Sequence, residues 1–152
     1  MFTLHAPAFA AGEMIPKEFT CEGKDRSPEL RWSNPPAGTK SFVLICDDPD
    51  APTGTWTHWV AYDIPAQAAM LAAANSSAPS TMKEGMQSSD EVGYHGPCPP
   101  KGHGMHRYYF HLYAIDRETL GLSNGAERTA VEAAMHGHVV GTAEYMGRYE
   151  RK

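Results

Sequence analysis

Apolar and polar positions alternate along six stretches of the chain, Phe2–Phe9, Leu30–Ser33, Lys40–Asp48, Thr55–Ile64, His106–Asp116 and His138–Tyr149, and β-branched and aromatic residues are concentrated in them. A period of two with that composition predicts strands. Between them, Ser33-Asn34-Pro35-Pro36-Ala37-Gly38 and the segments Asp48–Gly54 and Gly93–Gly104 are rich in Pro, Gly, Asn and Asp. Such punctuation suits an antiparallel sandwich better than βαβ units, so the chain reads as mainly β. Helical spacing is well signalled only near the C-terminus. There Asn124 with Glu127 three residues on reads as a capping box, Ala130, Val131, Ala134 and Met135 form an apolar stripe, and Gly137 reads as the stop. A second, weaker helix is predicted over Gln67–Ala73, where alanine dominates. Residues 66–105 hold no other clear element except a short strand predicted near Thr81–Ser88, and so long an excursion is either functional or hides structure.

A chain of 152 residues can bury one sizeable core, and with 41% hydrophobic and 20% charged residues it reads as a single domain spanning 1–152 without a linker. The charge of −5 and the lack of any basic run make nucleic acid a poor partner. A small anion is a different matter, because eight histidines and backbone N–H groups can bind one locally. Ala8-Phe9-Ala10 mimics a signal cleavage site but has no basic or apolar segment before it, and no run is long enough to span a membrane. A cytoplasmic, reduced protein is expected. Cys46 lies in the apolar run Phe42–Cys46 and reads as a buried small hydrophobe, whereas Cys21 and Cys98 sit in loop contexts as free thiols, ligands or a pair. The sequon Asn75-Ser76-Ser77 has no meaning in a cytoplasmic setting.

Chemistry concentrates in two stretches, Asp47-Asp48-Pro49-Asp50-Ala51-Pro52 followed by His58-Trp59, and Gly96-Pro97-Cys98-Pro99-Pro100-Lys101-Gly102 followed by His106-Arg107-Tyr108. Pro49 and Pro52 stiffen the first loop and bias the residues before them toward extended backbone, and Ala51-Pro52 is a candidate cis peptide. Strict alternation puts His58, Val60 and Tyr62 on one face and Trp59 and Ala61 on the other, while His106, Tyr108 and Phe110 share a face of their strand. If the strands are neighbours, His58 and His106 flank one cavity and Asp48 closes its edge. A carboxylate accepting one imidazole N–H would fix the tautomer, point the other nitrogen outward and favour imidazolium, giving a charge-assisted donor for an oxyanion. Gly96, Gly102 and Gly104 would let backbone amides approach the same ligand, and Tyr108 could add a hydroxyl. Taken singly, Asp48 and Asp50 are ordinary turn formers and each histidine an ordinary strand residue; the combination carries the inference.

Together with Phe19-Thr20-Cys21-Glu22-Gly23 and Ser27-Pro28-Glu29-Leu30-Arg31-Trp32, these motifs resemble the signature of the phosphatidylethanolamine-binding protein family, also called Raf-kinase-inhibitor-like proteins, and its bacterial branch most. The resemblance implies a sandwich of two antiparallel sheets with one or two short helices. It implies an anion site lined by Asp48, Ala51, Pro52, His58, Gly96, Pro100, His106 and Tyr108, taking phosphate, a carboxylate or a phospholipid head group. Kinase or protease partners come with some members, and no generally accepted catalytic activity does. The chain ends at Tyr149–Lys152, short of the segment that partly covers the pocket in eukaryotic members.

Two other functions compete with a binding module. A hydrolase would use Asp48 with His58 or His106 for acid–base chemistry, yet Ser123 of Gly121-Leu122-Ser123-Asn124-Gly125 lacks the strand that a nucleophile elbow needs and reads as helix capping. A zinc protein would recruit His58, His95, His103, His106 and Asp48, which do not follow a helical ligand spacing. The sequence therefore predicts no cofactor and no metal. It leaves room for a homodimer.

Overall fold

The computed structural model describes residues 1–75 and 78–152, and within them eight strands form two antiparallel sheets. In chain order they are β1 (Thr3–His5), β2 (Leu30–Ser33), β3 (Ser41–Asp48), β4 (Trp56–Pro65), β5 (Met70–Leu71), β6 (Lys83–Glu84), β7 (His106–Ile115) and β8 (Val139–Tyr149), with one helix, α1 (Arg128–Met135), between the last two. The smaller sheet runs β1-β2-β5 and the larger β6-β4-β3-β7-β8. Leu4, Leu30, Trp32 and Leu71 of the smaller sheet pack on Phe42, Leu44, Trp59, Ala61, Phe110 and Leu112 of the larger. On the outer face of the larger sheet Val43, Ile45, Val60 and Tyr62 meet Leu120 and the Val131 and Met135 side chains of α1. Strand β3 is thus buried on both faces at every position, which is why its sequence is a continuous apolar run and not an alternation. Strand β7, with His106, Tyr108, Phe110, Leu112 and Ala114 buried toward the sandwich, keeps the period of two.

The six main strands fall where the hydrophobic pattern puts them, and each departure has an identifiable cause. Phe2–Phe9 is predicted as one strand, but β1 stops at His5 because Pro7 has no N–H to offer a ladder and the chain turns there, with Phe9 N–H bonded back to the Ala6 carbonyl. Gln67–Ala73 is not a helix: Met70 and Leu71 pair with Arg31 and Leu30, and this tertiary pairing overrides the helical preference of the alanines. A 3₁₀ turn at Ala73–Asn75 follows. The strand predicted near Thr81–Ser88 exists as the two-residue β6, paired to Ala61 and Tyr62. The capping box does not form. Asn124 turns its Oδ1 to the Glu84 N–H at 2.9 Å and so finishes the β6 edge, and α1 begins only at Arg128, after Glu127 in extended backbone. Gly137, with φ of +81°, is the predicted stop, while Ala130 of the stripe is exposed.

Cys21 and Cys98 are paired in a disulfide that closes a separation of 77 residues. This corrects the expectation of a reduced chain. Cys46 is free and buried, and burial, followed by the neighbouring Asp47 and Asp48 charges, pushes its thiol well above the usual range. Among the described residues no peptide bond is cis, so Ala51-Pro52 is trans, and no helix is long and apolar enough to cross a membrane. Of the sequon, residues 76 and 77 lie outside the described residues.

Candidate functional site

A cavity of about 380 Å³ opens at the end of the sandwich where β3, β4 and β7 meet the loops after β3 and before β7. Asp48, Ala51, Pro52, His58, Pro100, His106 and Tyr108 line it, together with Thr53, Trp56, His95, Cys98 and Pro99. Its size suits a small ligand, and its walls are mostly apolar. Seven of the eight predicted residues therefore converge. Gly96 does not: its N–H is given to Asp25 Oδ1 at 2.8 Å, and a Cβ on it would lie 2.1 Å from the Phe19 carbonyl oxygen. Glycine is needed there because two backbone segments pass too closely for any side chain, and not to admit a ligand.

His58 reaches the cavity through a break in register that alternation cannot foresee. Cys46 pairs with Trp59 but Asp47 pairs with Thr57, so His58 is the extra residue of a β-bulge. The bulge turns His58 and Trp59 toward the same side of the sheet. His58 meets Tyr108 edge-on at 5.3 Å between ring centres, Trp59 lies in the core between the sheets, and Val60 and Tyr62 face α1. The expected grouping of His58 with Val60 and Tyr62 is thereby corrected.

Asp48 and His106 form the floor, and both are nearly inaccessible to solvent. His106 Nδ1 lies 2.7 Å from Asp48 Oδ2, and Asp48 Oδ1 accepts the Asp50 N–H at 2.7 Å. The neighbouring Asp50 grips Arg107 through both carboxylate oxygens, at 2.9 and 2.8 Å, and also takes the Arg107 N–H. These Arg107 bonds hold its carboxyl down at about 2, and the fork ties the proline-stiffened loop to the start of β7. The outer nitrogen of His106 does not point to a ligand, as expected, but lies 2.6 Å from His103 Nδ1. Gly102 and Gly104, both at positive φ, bend the chain so that His103 can cover His106, and the Gly102 N–H is taken by the Arg151 carbonyl.

The other two polar groups are set differently. His58 Nδ1 lies 2.6 Å from the His95 carbonyl, which can only accept, so Nδ1 carries the proton. Burial lowers the His58 pKa, against the opposing influences of that carbonyl and of Asp48, so the ring is neutral at neutral pH and its Nε2 is a lone pair. The imidazolium expected at His58 is not the resting form. Tyr108 is buried, and its hydroxyl makes no well-formed hydrogen bond in the protein, its polar interaction being with the Asp48 carboxylate. Burial, and then the Asp48 charge, push its pKa far up, so it stays protonated and able to donate. The Cys21–Cys98 disulfide forms part of the wall, next to the Cys21 N–H bond to the Pro97 carbonyl.

Among the described residues no three His, Cys, Asp or Glu side chains are grouped to hold a metal. Ser123 is far from this cavity in the fold: its carbonyl accepts the Tyr62 hydroxyl on the α1 side of the sheet. Thr53, Trp56, His95, Cys98 and Pro99 are the lining residues that motif reasoning did not assign to an anion. His95 had a signal, its place eleven residues before His106 in a stretch dense in histidine and glycine.

Residues 5–150 match the family model described as phosphatidylethanolamine-binding protein. The chain is 52% identical over 146 residues to a UPF0098 protein of Aquifex aeolicus, covering 95% of this chain and 85% of that one. Two solved structures share the fold closely. YbcL of E. coli, described as a member of the mammalian family, gives a TM-score of 0.93 at 31% identity over 99% of both chains. A homolog from Chlamydia trachomatis gives 0.91 at 38% identity, over 99% of this chain and 98% of that one.

Proposed function

This chain belongs to the phosphatidylethanolamine-binding protein family, and on that premise we propose that its cavity binds a small oxyanion, phosphate or the phosphate of a head group, as a binding module and not as a hydrolase. The observation that carries the proposal is the Tyr108 hydroxyl: buried, protonated, on a cavity-lining residue, and without a well-formed hydrogen bond. A buried donor left unpaired costs about 1–3 kcal/mol, and a ligand oxygen would recover it. The rigidity of the surroundings fits the same role. Pro49, Pro52, the Asp50–Arg107 fork and the Cys21–Cys98 bridge hold the walls before anything enters, which lowers the entropy lost on binding.

Titration of the labelled protein with inorganic phosphate, followed by NMR, should shift the His58, His106 and Tyr108 ring signals together. Absence of any shift at these three rings would remove the anion proposal. Tyr108→Phe should weaken phosphate binding by about tenfold or more while shifting the unfolding midpoint little, because the hydroxyl makes no well-formed hydrogen bond in the free protein. Loss of stability with unaltered binding would assign the hydroxyl to the fold instead.

A further inference from the structure

The polar groups around the cavity are a poor match for a fully deprotonated anion. No lysine or arginine lines it. Of the guanidinium groups near its rim, that of Arg107 is held by both oxygens of Asp50, and that of Arg151 gives its Nε–H to the Pro99 carbonyl at 2.6 Å. Asp48 and His106 carry together either one negative charge or none, depending on whether His106 holds a second proton, and in neither case is a positive charge left over. His103 covers the second nitrogen of His106, and the half-exposed His95 is turned to Asp25 at 3.4 Å. What remains for a ligand is a set of neutral donors, the Tyr108 and Thr53 hydroxyls and the Trp56 indole N–H, and two acceptors, the His58 Nε2 lone pair and the spare lone pairs of the Asp48 carboxylate. An oxyanion with no hydrogen would confront both acceptors with its own lone pairs. One that keeps a hydroxyl would use an oxygen to accept from Tyr108 and its O–H to donate to His58 or Asp48.

We propose that the pocket selects an oxyanion that still carries a proton, with His58 Nε2 and Asp48 as the groups that read the ligand's O–H and Tyr108 as the donor to its charged oxygen. This rests on the anion reading of the cavity given above and adds the protonation state of the ligand. The geometry behind it is the commitment of His58 Nδ1 to the His95 carbonyl, which leaves only an acceptor facing the ligand. Sites built to bond a ligand hydroxyl reject analogues that lack it, because the site's own polar groups are then left unpaired.

Three probes separate the outcomes with the unaltered protein. Inorganic phosphate keeps a proton at about pH 5.5 and at about pH 8, methyl phosphate loses its last proton near its second pKa of about 6, and sulfate has none at either pH. Titrations should show phosphate binding at both pH values, methyl phosphate at least about tenfold weaker at the higher pH than at the lower, and sulfate at least about tenfold weaker than phosphate throughout. The His58 ring should keep its Nδ1–H tautomer when phosphate is bound, as read from its ring nitrogen shifts. Sulfate binding as tightly as phosphate, methyl phosphate indifferent to pH, or a doubly protonated His58 in the complex overturns the inference and leaves the anion reading intact. If none of the three probes moves the His58, His106 and Tyr108 signals, or only ethanolamine does, the anion reading itself fails.

Discussion

Asp47 and Asp48 are adjacent, both end β3, and each is paired with a histidine of β7, yet they serve opposite faces of the sheet. On the outer face Asp47 accepts from His111 Nε2 at 3.1 Å and from Arg128 Nη1 at 2.9 Å, and Arg128 also bonds Thr57 Oγ1. Burial there acts to raise the Asp47 carboxyl, but the His111 and Arg128 bonds outweigh it and hold the pKa below the usual value. Every partner is supplied by the chain, and both His111 and Arg128 are partly exposed. On the inner face Asp48 has His106 and a backbone N–H, no arginine, and a cavity beside it in which the Tyr108 hydroxyl makes no well-formed hydrogen bond. A carboxylate–imidazole pair by itself therefore says little about function. What separates the two is whether the surrounding hydrogen bonds are complete, and only the inner set is left open.

The sharpest way to break this comparison is to remove each carboxylate in turn. Asp48→Ala strands buried His106 and should cost about 3 kcal/mol in urea unfolding, along with phosphate binding. Asp47→Ala leaves Arg128 and His111 with access to water and should cost about 1 kcal/mol, with phosphate affinity within about threefold of the parent. Equal effects of the two on binding would erase the distinction between the faces. The next effect in size concerns the disulfide, which walls the inner cavity and has no counterpart outside. Cys98→Ser should cost about 2–4 kcal/mol and shift the NMR signals of His58 and Tyr108 while leaving those of His111 in place. A thiol titration of the unfolded, unreduced protein should count Cys46 alone.

The smallest effect is the pH dependence that His58 brings to the inner face. Burial depresses the folded-state pKa of His58 below the ordinary imidazole value of about 6.5, so protons bind the unfolded state more readily at this residue. Its contribution to stability is complete above that value and is lost as pH falls from there through the folded pKa. An NMR titration should find His58 still largely neutral at about pH 6.5. A midpoint above that value would reverse the sign and restore the imidazolium donor.

Hydrophobic alternation located β2, β4, β7 and β8, and a continuous apolar run located β3, to within a residue or two because each has at least one face that must be buried, and burial leaves its mark on composition. β5 was illegible for the opposite reason: Met70 and Leu71 are a strand only because β2 is already there to pair with them. The α1 start was misread because Asn124 had two backbone N–H groups competing for it, one local and one on a segment forty residues away, and the distant one won. At the site, the residue types and the proline-stiffened loops were readable, and seven of the eight named residues do line one cavity. Gly96 was not placed by motif because its constraint is the close passage of Phe19, a segment far off in the chain.

What the sequence by itself determined is the set of strands, the single β architecture and the chemistry available: carboxylates and imidazoles on stiff loops beside a tyrosine. Those follow from local preference and from the period of side chains along an extended backbone, which neighbouring residues alone impose. What only the tertiary structure decided is which of those groups are satisfied. The bulge that turns His58 inward, the His95 carbonyl that fixes its tautomer, His103 covering His106, and the Cys21–Cys98 pairing all depend on segments far apart in the chain. Protonation and hydrogen-bond completeness are properties of an environment, and that environment exists only once the sheets have packed.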